Sequence, residues 1–466
     1  MRKGFLGSLA VLATGAGLAF GQYGPPPGAG GPPPYPMPGP GVVPGPPSMS
    51  GPSATNAYGY YSPDGHPVIM PPGLDGMVPP GAMGAGAPGG AYPPDGHFGA
   101  AGNGVLQQMF GSGPRHVWAG VDWLWWTPKA QQVRDPLVTT SAAADFGILG
   151  RATTAALCGP DDNISFDQVN GWRVWVGCAL DERMGAEVSG FWLQTAKRLF
   201  SFQSNGGGLP LLAVPFFDAD TGAATSLVVA FPGVAVGGIN IAADTRVCSA
   251  EVNLILNAYR SDNCEPGGLE FFVGARYFQL EESFGIETHS TSLVAPLAVT
   301  TFDGIRTFNN FYGAQVGFRG EMGFGKWFAQ LTGKVAAGYM RSWADLEGST
   351  TFTEPGLVST VPGGLFNAPQ DLCRHHADRF AILPEGALNI GCQILPCLRV
   401  HAGYTFLWVN NVVRPTTSIS PVLNTALVPV SPNFTGSFPV NFVPRNVTRD
   451  DEFFLHGFNV GVQLSF

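Results

Sequence analysis

Nine charged side chains stand at alternate positions inside otherwise apolar runs: Asp122, Arg173, Glu187, Glu251, Arg276, Arg319, Lys334, Glu385 and Arg399. Their neighbours on the opposite parity are large and apolar, as with Trp172, Val174 and Val176 around Arg173. A strand with this pattern has one face for lipid or core and another that carries charge. Two kinds of chemistry compete for that charged face. The groups can line an aqueous path and tune ion selectivity, or they can pair across a filled interior. The four carboxylates could also be read as a hydrolytic pair, but no accompanying Ser/His pattern is present, so no enzyme is expected. The phosphate-cradling, nucleophile-elbow and zincin motifs are missing as well. His375-His376 with Asp378 could hold a metal and Asp161-Asp162-Asn163 could hold calcium, yet adjacent histidines usually point apart and acidic loops are common. No metal or cofactor is expected.

The elements that carry these charges share a period of two. At the chain's end Phe458, Val460, Val462, Leu464 and Phe466 alternate with Gly457, Asn459, Gly461, Gln463 and Ser465, as in a half-buried strand. A final strand ending on an aromatic also resembles the C-terminal strand that serves assembly of bacterial outer-membrane barrels. Similar alternation begins at 117–126 and recurs to give ten candidate strands. The connections between them alternate in length. Those at 127–170, 195–246, 285–308, 340–379 and 409–452 are long, and those at 181–183, 258–268, 322–326 and 393–397 are short. Short turns at one end, long loops at the other and an even strand number describe an antiparallel transmembrane up-and-down β-barrel. About ten strands are expected, with twelve as the other count. Trp123, Trp125, Trp126, Trp192, Trp327, Tyr339 and Trp408 fall near strand ends, where interfacial girdles belong. At ten strands the interior is narrow, so a paired lumen with at most a thin path is preferred. A charge facing lipid at mid-depth would cost ~2–4 kcal/mol, which argues for the inward assignment of all nine.

Composition agrees with an exported β-protein. Of 466 residues only 12% are charged, and the formal net charge of −9 excludes a basic nucleic-acid surface. Arg2 and Lys3, an apolar run from Phe5 to Leu18 and the small residues Ala19 and Gly21 read as a signal peptide over 1–21. Residues 22–113 follow as a disordered periplasmic linker. From Gly21 to Gly113 there are 24 Gly and 22 Pro in 93 residues, with Asp64, Asp75 and Asp95 the only charges, too little apolar surface to offset the entropy of ordering. The barrel then takes 114–466. Seven cysteines suit an oxidising compartment and leave one unpaired. Cys392 and Cys397 bracket a tight turn, and Cys158 and Cys373 fall in loops expected at the same end. Both pairs are disulfide candidates, whereas Cys248 and Cys264 sit near opposite ends of one strand.

Several segments, in order, resemble one known family. They are Trp123-Leu124-Trp125-Trp126 with Pro136 to Thr140 after it; Glu251-Val252-Asn253-Leu254; Gly274 to Glu282; Phe311 to Gly317; Leu383-Pro384-Glu385; Gly403-Tyr404 with Val412-Val413-Arg414-Pro415; and the closing Phe453, His456, Gly457, Phe458 and Asn459. These are similar to the seventh of the beta-barrel porin families of planctomycete bacteria. The resemblance implies a barrel in the outer membrane of a Gram-negative-type bacterium and no particular substrate. The loops and the N-terminal segment inherit nothing from it. The expected function is porin-like passage of small polar solutes or ions through a charged lumen. The alternative is a non-conducting envelope protein that acts through its long external loops. Expected partners are outer-membrane lipid, the barrel-assembly machinery and permeating solutes, with no nucleic acid, and the barrel is expected to be a monomer.

Overall fold

The computed structural model describes residues 117–160, 162–260, 267–435 and 448–466. The expected signal peptide and linker, together with Asp161 and Cys264, lie outside the described residues. Ten antiparallel strands form a ring: β1 (Val117–Pro128), β2 (Val169–Ala179), β3 (Met184–Leu193), β4 (Ala235–Arg260), β5 (Gly267–Ser292), β6 (Ala298–Phe324), β7 (Trp327–Glu354), β8 (Arg374–Leu395), β9 (Leu398–Val413) and β10 (Asp450–Ser465). Each pairs with the next, and β10 pairs back onto β1 with Val121 opposite Val462, so no barrel edge is left open at this level. Val117 and Phe466 exchange backbone hydrogen bonds at the short-turn end.

Alternation sets the two faces. Along β1, Leu124 and Trp126 are buried while Trp123 and Trp125 are exposed. Along β10, Phe458, Val460, Val462 and Leu464 are exposed and Asn459 is buried. An exposed apolar band therefore circles the short-turn half, as a bilayer requires. Trp126 departs from the girdle expectation. It lies on the inward parity and packs edge-on against Phe191 at 5.1 Å, because one step along a strand reverses the face.

Loop lengths depart further. The stretch expected as a long loop over 285–308 is a tall hairpin whose two strands are joined by 293–297, and much of 340–379 is a continuation of β7. Strands β4 to β7 run for 26, 26, 27 and 28 residues, whereas crossing a bilayer needs only ~9–11. The extra length persists because alternation does: Phe284, Ile286 and Ile305 are buried far above the apolar band. Strand Ala196–Gln203 extends the tall wall beside β4, and Leu357–Pro362 extends it beside β7.

A second sheet lies inside the tall end. It combines Val138–Thr140, Ala155–Cys158, Leu212–Asp218, Ala223–Ala230 and Val422–Leu423. Its Leu212, Val214 and Phe216 join Ile239, Ile241, Phe278, Leu280 and Phe284 of the wall in one hydrophobic cluster. The long connections thus fold inward and fill the tall end.

Candidate functional site

All nine charges singled out from the sequence face the barrel interior, and eight of them meet one another. Arg276 Nη2 donates to Glu385 Oε2 at 2.6 Å, and Arg173 and Lys334 approach the other Glu385 oxygen at 3.7 and 3.9 Å. Lys334 donates to Glu251 at 2.5 Å, and Ser189 and Gln315 donate to the same carboxylate. Asp122 is held between Arg173 at 3.9 Å and His401 Nε2 at 2.9 Å. Nearer the short turns, Glu187 accepts from Arg319 and from the Trp118 indole, both at 2.8 Å. Arg399 donates to Glu321 at 3.0 Å and to Gln393 at 2.7 Å.

These contacts cross the lumen. Arg276 and Glu385 lie on β5 and β8, Glu251 and Lys334 on β4 and β7, and Glu187 and Arg319 on β3 and β6. Arg173 and Glu385 sit on β2 and β8, four places apart around a ring of ten. Long side chains from nearly opposite walls therefore touch. Asp122, Glu187 and Arg276 are each under 5% exposed. Aromatic rings close remaining space: Phe272 lies under Arg319 at 5.5 Å, Phe328 under Arg399 at 5.1 Å and Trp126 by Arg173 at 5.1 Å. Inward glycines admit these rings. A Cβ on Gly317 would meet Phe272, and one on Gly120 would meet Trp175.

Above the charged layer the interior turns apolar. Leu124, Trp126, Phe278, Phe311, Ala336, Leu383 and Leu407 are all fully buried in one cluster. A third feature pins the loops above that cluster. Arg414 donates to both oxygens of Glu282 at 2.7 and 2.9 Å and to the backbone oxygens of Lys129 and Ala130 at 3.0 and 2.8 Å. Neither charged side chain of this pair touches solvent. Asp303 similarly accepts three backbone N–H bonds from Leu365, Phe366 and Asn367.

Sequence reading missed Glu270, Glu321, His401 and Gln315, although each stands on the same inward parity as its singled-out neighbour. It also missed Glu282 and Arg414 as a pair. Glu282 shows the inward parity of β5, but Arg414 lies past the end of β9, where no periodicity points to it.

Neither expected disulfide forms among the described residues, where Cys158, Cys373, Cys392 and Cys397 are free thiols. Cys392 stands opposite Val400 in the β8–β9 ladder, so its side chain is committed to the wall and does not reach Cys397 in the turn. Cys158 is buried in the apolar cluster, whereas Cys373 is exposed with its Sγ 3.4 Å from His375 Nε2. Burial pushes the Cys158 thiol up to about 11, so it is almost wholly protonated near neutrality and unreactive. A maleimide should therefore label Cys373 and Cys397 in the folded protein, and Cys158 only after unfolding; labelled peptides read by mass spectrometry would check this. His375 and His376 lie on opposite parities of β8, and no group of three His, Cys, Asp or Glu suited to a metal occurs among the described residues.

Among solved structures the chain is similar to the outer membrane protease OmpT from Escherichia coli, at 10% identity and a TM-score of 0.33, covering 75% of this chain and 97% of that one. A Pseudomonas aeruginosa FadL homologue matches at 8% identity and a TM-score of 0.19, covering 76% and 90%. A deletion mutant of the monoaromatic hydrocarbon channel TodX matches at 9% and 0.19, covering 75% and 90%. No curated protein matches. Residues 118–466, the whole barrel with its interior layers, match the model of the family described as putative beta barrel porin-7 (BBP7), and the chain belongs to that family as an outer-membrane β-barrel.

Proposed function

We propose that this barrel is non-conducting in the conformation described and serves as a membrane-anchored support for its tall external sheets and loops. The observation that carries this reading is the occupied lumen. Ion pairs bridge the interior from β2 to β8, and a fully buried apolar layer lies above them. A path for hydrated ions needs continuous polar lining, and an apolar constriction blocks it by dewetting. Six inward carboxylates (Asp122, Glu187, Glu251, Glu270, Glu321 and Glu385) face five inward cations and His401. This near balance suits internal pairing better than selection of one ion sign.

A second reading, gated passage of small polar solutes, is favoured by one observation. Nη1 of Arg276 and Oε1 of Gln315 are buried without a hydrogen-bond partner among the described residues, and a polar guest could satisfy them once the layer above moved. Planar-bilayer recording of the folded full chain separates the two, with insertion verified by heat-modifiable gel mobility. Silence from inserted protein is expected. Discrete steps whose ion selectivity changes in Arg276→Ala or Glu251→Ala would overturn the closed barrel and establish passage. The C-terminal strand, with Phe466 exposed at the short-turn end, is proposed as the segment presented to the barrel-assembly machinery.

A further inference from the structure

The outward wall of β4 to β8 carries a feature that neither closure nor passage uses. Tyr277, Tyr312, Tyr339 and Phe380 stand opposite one another on four successive strands. One outward position nearer the short turns, the first three of these strands present Ala275, Ala314 and Ala337 side by side and the fourth presents Ile382. Large rings above small side chains leave a concavity of ≈ 1010 Å³ in the face that meets lipid. One outward position above the rings the wall becomes polar, with Gln279, Asn310, Arg341 and Asp378 in a row. The rings therefore mark the edge of the apolar band, and the concavity opens just beneath that edge.

Charge at this edge is not fully paired. Arg306 is held by Glu281 and Arg374 by Asp345, and Asp378 stands opposite Arg341 in the β7–β8 ladder. Arg341 on β7 and Arg246 on β4 are exposed, face outward and make no ion pair among the described residues. They stand above opposite flanks of the concavity, three strands apart, which is ~14 Å across the strands at the usual spacing, and Arg246 stands one outward position further from the short turns than Arg341.

We propose that this wall seats one phosphate-bearing lipid of the outer leaflet, its chains in the concavity and its headgroup on Arg341 and Arg246. The apolar floor excludes a free anion as the whole occupant, and the two cations select against a zwitterionic headgroup. Tyr277 and Tyr339 contribute amphipathic rings at the junction between chain and headgroup, where such rings are favoured.

The test uses the folded full chain in nanodiscs of phosphatidylcholine with a minority of phosphatidylglycerol, followed by detergent extraction and native mass spectrometry of retained lipid. Wild type should retain phosphatidylglycerol in preference to phosphatidylcholine. Removing each unpaired cation, as in Arg341→Gln and Arg246→Gln, should lower that preference roughly fivefold, and the double variant roughly 25-fold. Arg306→Gln should leave it unchanged. Ala314→Phe, which fills the concavity, should lower retention of both lipids with the charges intact. Equal retention of the two lipids by wild type, an unchanged preference in the double variant, or complete displacement of phosphatidylglycerol by inorganic phosphate would each overturn the proposal.

Discussion

Arg414→Ala is expected to destabilise the folded barrel by about 3–5 kcal/mol, the cost of leaving a fully buried partner charge uncompensated. Glu282 would lose both of its guanidinium hydrogen bonds, in a position with no access to water. The same change strips hydrogen-bond donors from the Lys129 and Ala130 carbonyls, so three chain segments lose their common fastening: β5, the connection after β1 and the connection after β9. The measurement is the urea midpoint of the protein in lipid vesicles, paired with protease sensitivity of the tall end. Arg414→Lys should recover only part of the loss, since an ammonium cannot make the two parallel bonds to Glu282 and still reach both carbonyls. The double variant Arg414→Met with Glu282→Leu should recover most of it, because an apolar pair of similar size removes the desolvation cost of both charges. A double variant as unstable as Arg414→Ala would show that the carbonyl contacts, not the ion pair, hold the loops.

Glu385→Ala is the second large effect expected, again about 3–5 kcal/mol. Three cations converge on this carboxylate, and Arg276 is its closest partner at 2.6 Å. Without it the centre of the lumen carries Arg173, Arg276 and Lys334 against Glu251 and Asp122, and like charges crowd one another in a space of low dielectric. Adding Arg276→Ala should restore much of the stability, a coupling that a double-mutant cycle measures. The single variant should remain electrically silent, since the apolar layer of Leu124, Phe278, Phe311 and Leu383 above it is untouched. Conductance steps in Glu385→Ala would place the barrier in the charged layer alone.

The two variants probe different strata, and they differ in how far the sequence exposes them. Glu385 is visible because it interrupts the run from Ile382 to Ile390 on the inward parity. Arg414 sits in a connection with no repeating pattern, and its partner lies 132 positions away. Parity also explains the error at Trp126. A cluster of tryptophans near a strand end suggests a girdle, but adjacent residues face opposite sides, so only Trp123 and Trp125 are exposed. The tall hairpins fall in stretches that read as loops for a related reason. Beyond the bilayer the wall has water outside and the second sheet inside, so residues such as Asp303, Thr307 and Asn309 take buried positions that membrane strands would give to apolar side chains or charges.

By itself the sequence determined the class of fold, a ring of about ten antiparallel strands and the face on which each of the nine charges stands. These are local properties: a period of two and short turns at one end are written in consecutive residues. Which charge meets which was decided only by the closed ring. Arg173 reaches Glu385, Lys334 reaches Glu251 and the loops fill the tall end because strand count, register and curvature bring distant residues to one level. No spacing along the chain encodes that distance.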